Sequence, residues 1–204
     1  MHISWLGTSA VKLQGKPQSE DVLVVIDPYK PKEGNFPRSI TPQIVLYSRG
    51  QKDSVTLSAD PFILDSAGEC EVKGVLVTAV QGPTSESVYF RIDMEGMSIG
   101  HLGLTNKDIS AAQLNVLGGV DILLVPFGHK DAYDAGGAVK AINAIEPRIV
   151  IPISFQSEND PDAKPLDNLL KELGNPGEKP EKKVIIKKKD LPQEDMQIIL
   201  LEKE

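Results

Sequence analysis

The hexapeptide Arg49-Gly50-Gln51-Lys52-Asp53-Ser54 follows the apolar run Ile44 to Tyr47 and sets a carboxylate among cations at a strand end. Asp53 reads either as an active carboxylate or, preferably, as a turn residue that bonds to nearby amides or pairs with Arg49. Arg49 could neutralise that carboxylate or hold an anionic ligand by its planar fork of donors. It could equally be a solvated loop arginine. Histidine occurs at positions 2, 101 and 129. His101, His129 and one Asp have the donor types for a small zinc site, but two unrelated loop histidines are the plainer reading. Cys70 is the only cysteine, which leaves no disulfide within the chain and no Cys-based zinc site. With no histidine near it in sequence, it reads as a packed thiol. Lys182-Lys183 and Lys187-Lys188-Lys189 could bind phosphate. Edge-strand lysines that block sheet-to-sheet pairing fit better in a chain of net charge -7.

Strands and helices must position these groups. The 204 residues are 40% hydrophobic and 25% charged, as in an ordinary globular protein. The negative charge argues against a general affinity for nucleic acid or anionic membrane. No secretory pattern opens the chain and no run of eighteen apolar residues occurs, so a cytoplasmic protein is expected. Strands are predicted at 3–6, 10–13, 22–26, 44–47, 62–64, 72–80, 88–92 and 97–99, with Glu95-Gly96 as a hairpin turn. Strand and helix then alternate. Helices are predicted from Asn106 to Leu117, Ala132 to Ile145 and Leu166 to Leu173. Strands fall at 120–125, 149–153, 184–186 and 198–201. No linker divides the chain, so residues 1–204 are expected to form one domain. A strand-rich half followed by alternation fits two packed sheets with helices outside.

Several motifs carry a resemblance. They are Trp5-Leu6-Gly7, Ile26-Asp27-Pro28, Gly68-Glu69-Cys70-Glu71-Val72-Lys73-Gly74, His101-Leu102-Gly103, Val120 to Pro126, Ile145 to Pro152 and the closing Lys187 to Pro192. In this order they resemble the metallo-β-lactamase-fold superfamily, in its small bacterial metal-dependent hydrolase branch with the ascorbate-6-phosphate-lactonase-like proteins. The resemblance implies an α+β four-layer αββα sandwich. It also implies a metal cleft, in which Arg49, Gln51 and Ser54 stand at the three histidine positions of the metal-binding turn and only Asp53 is retained. Leu104 stands at the bridging aspartate and Ser154 at the last histidine, while the loop 81–87 holds no histidine. One carboxylate flanked by Arg49 and Lys52 would not hold zinc.

These substitutions lead to the expectation of a non-catalytic ligand-binding or assembly protein without a cofactor. A small anion is its expected partner, nucleic acid and membrane are not, and a homo-oligomer is implied. The alternative is a hydrolase of a lactone, ester or phosphate bond with a reduced or relocated zinc site. Arg49, Asp53, His101, Leu104 and Ser154 are expected to converge, with Arg49 within ion-pair reach of Asp53 or another cleft carboxylate.

Overall fold

The computed structural model describes residues 1–37, 40–58, 60–175 and 179–204. Short apolar runs punctuated by turns build two sheets. The first contains β1 (His2–Gly7), β2 (Ala10–Gly15), β3 (Val22–Ile26), β4 (Ile44–Leu46) and β5 (Phe62–Leu64). The second contains β6 (Gly68–Val72), β7 (Val75–Gln81), β8 (Val88–Met94), β9 (Met97–His101), β10 (Ile122–Pro126) and β11 (Ile149–Ile153). Near the end of the chain β12 (Val184–Ile185) joins the edge of the first sheet beside β1, and β13 (Gln197–Ile198) joins the second beside β11. Strand order is β12-β1-β2-β3-β4-β5 in one sheet and β13-β11-β10-β9-β8-β7-β6 in the other. Each sheet is mixed, as β3, β4 and β5 are parallel to one another, and so are β9, β10, β11 and β13.

The sheets pack face to face. Trp5, Leu13, Ile26 and Leu46 meet Val77, Phe90, Ile99 and Ile151 in one buried core. The other face of the second sheet is also covered, which explains why β10 is apolar at every position. There Leu123, Val125 and Val150 pack on Leu117 of α1 (Ala111–Leu117) and on Ala138, Ile142 and Ile145 of α2 (Ala135–Ile145). Leu169 of α3 (Asp167–Glu172) joins the same cluster. The outer face of the first sheet is covered differently. Leu6, Ala10 and Val25 are capped by Phe36 and Ile40, so the described outer layer on that side comes from the β3–β4 connection. The fold is the expected sandwich of two sheets with helices outside.

Local chemistry accounts for the shifted boundaries. Helix α1 starts after Ser110, not Asn106, because Ser110 and Gln113 form a reciprocal capping box. Helix α2 starts later than Ala132 because Asp134 caps it by accepting from the Gly137 N–H, while Tyr133 is held in a bridge to Phe127. The run 72–80 is not one strand. Lys73 and Gly74 both take positive φ, 52° and 76°, and turn the chain from β6 into β7. Glu95-Gly96 makes the same kind of turn at 54° and 71°, as expected. Exposed Lys182 and Lys183 precede the edge strand β12, but Lys188 and Lys189 lie in a 3-10 turn, Lys188–Asp190, and not on a strand. Among the described residues no helix is long and apolar enough to cross a membrane.

Phe90 is fully buried between the sheets. Phe90→Ala should cost about 3–5 kcal/mol through lost burial and a residual cavity. In guanidinium chloride the unfolding midpoint should fall while the slope of the transition is unchanged.

Candidate functional site

Five connections leave their strands at the same rim of the sandwich, the carboxyl ends of β1, β3, β4, β10 and β11. In open sheets with parallel strands this is where ligands gather. The connections enclose a cleft of about 580 Å³ lined by Gly7–Ala10, Asp27, Tyr29–Lys32, Phe36, Arg49, Lys52, Asp53, His129–Asp131, Asn159 and Asp160. The backbone is strained along this rim. Thr8, Asp27, Asp53 and Ser154 have positive φ of 45°, 51°, 62° and 67° without being glycine. The other such residues, Lys73, Glu95 and Glu146, serve hairpin turns and a helix C-cap. Backbone strain of this kind costs of order 1–3 kcal/mol per residue and concentrates at functional sites.

Asp27 anchors the floor. It is buried, and its two carboxylate oxygens accept from the Ser48 N–H and the Ser48 hydroxyl, both at 2.6 Å. Its own N–H donates to the Leu46 carbonyl at 2.8 Å. This pairing delivers the chain from β4 into the cleft at Arg49. The Arg49 guanidinium lies 4.3 Å over the ring of Tyr29, and the Tyr29 hydroxyl donates to the Gly50 carbonyl at 2.8 Å. Burial, then the charge of Asp27, pushes the Tyr29 phenol well above its ordinary range, so it stays protonated as a donor. Trp5 fixes the opposite wall. It packs on Phe155 with ring centroids 4.4 Å apart, and its indole N–H donates to the Thr8 carbonyl at 2.8 Å. Gly7 is required there, because a Cβ would stand 2.2 Å from the Asn159 side-chain oxygen. Asn159 in turn donates to the Glu33 carbonyl at 2.6 Å, which ties the loop after β11 to the loop after β3.

Both interior histidines are held in one tautomer. His101 Nδ1 accepts from the Gly103 N–H at 3.1 Å, so Nε2 carries the proton that it gives to the Ser9 carbonyl, 2.9 Å away. His129 Nδ1 accepts from the Asp131 N–H at 3.0 Å, so the Nε2–H faces Asp160 Oδ2, 3.7 Å away. That Asp160 oxygen is buried and has no hydrogen-bond partner. Burial lowers the pKa of each imidazole, with Asp27 opposing the shift at His101 and Asp160 and Asp131 opposing it at His129.

The residues expected to converge do so only in part. Arg49 and Asp53 line the cleft, but they form no ion pair. Neither has a carboxylate–cation contact among the described residues, and Arg49 stacks on Tyr29 instead. Gln51 turns away and donates to Asp65 at 2.7 Å. Ser54 is spent on a backbone bridge to Tyr29. His101 lies beneath the cleft, bonded to Ser9 of its wall, and Leu104 is not a lining residue. Ser154 is fully buried behind the wall, with its hydroxyl unpartnered. Cys70 is half-buried on β6, and burial followed by the charge of Glu69 raises its thiol pKa, as suits a packed thiol. Asp27, Lys30, Lys32, Asp131 and Asp160 escaped the sequence reading as site residues. Asp27 had a signal in the Ile26-Asp27-Pro28 turn, whereas Asp160 sits in a loop without one. Asp53 is therefore one of four cleft carboxylates.

Residues 2–154 match the β-lactamase superfamily domain. The chain belongs to this family. It is 24% identical over 198 residues to a UPF0173 metal-dependent hydrolase of Methanosarcina mazei, covering 77% of this chain and 84% of the relative. To the UPF0173 metal-dependent hydrolase of Archaeoglobus fulgidus it is 24% identical over 208 residues, covering 79% and 88%. The fold matches that of a Thermotoga maritima protein assigned to the Zn-dependent hydrolases of the metallo-β-lactamase superfamily, with TM-score 0.81, 23% identity and coverage of 98% and 99%. A metallohydrolase from Ignicoccus hospitalis matches with TM-score 0.63, 14% identity and coverage of 91% and 99%. These relatives overturn the expectation of a non-catalytic binding or assembly protein. The resemblance as read at residues 49–54 suggested that expectation, but relatives named as metal-dependent hydrolases align over most of the chain.

The donor set in this chain does not fit the family's metal centre. Among the described residues no three His, Cys, Asp or Glu side chains are grouped to hold a metal ion. A metal on Nε2 of either interior histidine would require the proton on Nδ1, where a backbone N–H already points.

The histidines also set a pH dependence. Unfolded, each titrates near 6.5; folded, each has a lower pKa because it is buried. Their stabilising contribution is therefore complete above about pH 6.5 and is lost as pH falls from there towards the folded values. The urea midpoint should be flat from pH 8 to 7 and fall between 6.5 and 5.5. A His101→Gln variant, less stable at pH 8, should show a shallower fall.

Proposed function

We propose that this chain is a hydrolase of a lactone, ester or phosphate bond that works in the cleft, with a metal dependence reduced relative to its named relatives. The observation that carries the reading is Asp160. Its Oδ2 is buried, unpartnered and 3.7 Å from the Nε2 of His129, in a wall of the cleft. A desolvated carboxylate oxygen with no partner is costly to keep unless a proton donor arrives from outside the fold. A water bound against it would pass its proton to Oδ2 while its oxygen attacks the substrate. As the bond to the leaving oxygen breaks, the Asp160 carboxyl returns that proton to it, while the neutral His129 Nε2–H, oriented by the Asp131 backbone and 3.7 Å from Oδ2, is placed to hydrogen-bond to the attacked or departing oxygen without giving up its proton. Arg49 and Lys52 stand across the cleft where negative charge develops on the attacked group. The strained rim and the relatives' names support the same location.

The test is turnover on a panel of lactone, aryl ester and aryl phosphate substrates, each with added zinc or manganese and with a chelator. Hydrolysis of at least one substrate is expected, with most of the rate surviving chelation. Asp160→Asn should lower kcat/KM by roughly 10²–10⁴-fold, the usual range for removing a general base. No turnover on any substrate under either condition would overturn the proposal.

A further inference from the structure

Resting on that reading of the cleft, we propose that its substrate is an organic phosphate monoester, with the phosphoryl group held by Arg49, Lys30, Lys32 and Lys52. The argument is a charge balance. The whole chain carries -7. The cleft nevertheless gathers Lys30, Lys32, Arg49 and Lys52 from the loops after β3 and β4, and among the described residues none of the four has a carboxylate within ion-pair distance. Two of the opposing carboxylates are already engaged. Asp27 is saturated by Ser48, and Asp131 lies 3.6 Å from Lys130 and 3.8 Å from His129 Nδ1. Asp53 and Asp160 remain, and Asp27 keeps its charge because Ser48 is a neutral donor. Four unpaired cations against these three carboxylates leave an excess of one positive charge, and with Asp27 turned to Ser48 the cleft presents Arg49 and three lysines to an anionic phosphoryl group.

Arg49 is the best prepared of the four. Stacking on Tyr29 and the Tyr29–Gly50 hydrogen bond restrict it before any ligand arrives. A guanidinium held in this way presents its fork to two oxygens of one tetrahedral group. The cleft, at about 580 Å³, is much larger than a phosphate ion, and Leu6, Ala10, Pro31 and Phe36 add an apolar wall. An inorganic anion would leave that wall bare, whereas the carbon skeleton of a monoester would cover it.

Titration calorimetry with inorganic phosphate, phenyl phosphate and benzoate tests this on the full chain. Phenyl phosphate should bind at one site, at least about tenfold more tightly than either other probe, and should weaken as salt rises. Arg49→Ala should weaken phenyl phosphate by roughly 10–100-fold, in line with losing a charge-assisted pair. Arg49→Lys should recover only part of that loss, because a point charge lacks the fork. Lys52→Ala should weaken binding less than Arg49→Ala, and the distant surface variant Lys140→Ala should have no effect. Benzoate binding as tightly as phenyl phosphate, or Arg49→Ala and Lys140→Ala behaving alike, would overturn the proposal. Asp160→Asn separates the two readings: it should lower turnover by roughly 10²–10⁴-fold and keep phenyl phosphate binding. Turnover of a neutral ester without phenyl phosphate binding would remove this inference and leave the hydrolase. Specific binding without any turnover would overturn the hydrolase and the assignment of the monoester as substrate together, leaving only the binding of the phosphoryl group by the cleft cations.

Discussion

The cleft depends on how one buried carboxylate is satisfied. Asp27 ends β3 in a left-handed conformation and spends both oxygens on Ser48, the second residue beyond β4. A buried carboxylate without partners would be strongly destabilising, so this clasp is the condition on which the strand ends can come together. The same Ser48 accepts from the Val88 N–H of the second sheet through its carbonyl, at 2.9 Å. The two sheets are therefore joined at the floor of the site. Arg49 follows directly, so the bonds between Asp27 and Ser48 fix where its backbone enters the cleft.

Much of the fold was legible because it is written in apolar periodicity. Runs such as Val22 to Ile26 and Ile149 to Ile153 are strands with the boundaries that their composition implies. Boundaries moved where a local hydrogen bond outweighed the pattern, as with the Ser110–Gln113 box, or where two left-handed residues turned the chain inside an apolar run at Lys73-Gly74. The outer layer over β1, β2 and β3 was less visible, because Phe36 and Ile40 sit in a loop with no periodicity to announce them.

The site was legible only as far as its motifs reach. Arg49 and Asp53 were placed in the cleft by the resemblance of the turn at residues 49–54 to the metal-binding turn of the family. Their relation to each other was not, since the stacking partner of Arg49 lies in another loop. Asp160 and Lys32 are ordinary loop residues in sequence and become neighbours only through the fold. Reading the turn at residues 49–54 alone gave too much weight to the histidines that the resemblance implied there, and missed the carboxylates that arrive from β3 and from the loop after β11. The family comparison corrected the functional expectation, and the geometry shows what the cleft contains instead.

The hydrogen bonds to His101 and His129 Nδ1 bear on how this chain could change over time. In both, the donor is the peptide backbone two residues ahead, at Gly103 and Asp131. No single codon change removes a peptide N–H except one to proline, and proline would also reset the backbone that shapes the turn. Each imidazole is thus kept as a donor at Nε2 by the main chain and not by an exchangeable neighbour. Drift at Arg49, Gln51 or Ser54 can alter what surrounds these rings. It cannot by itself convert them into lone-pair donors, so the protonation pattern of the interior is more heritable than the side chains that face the cleft.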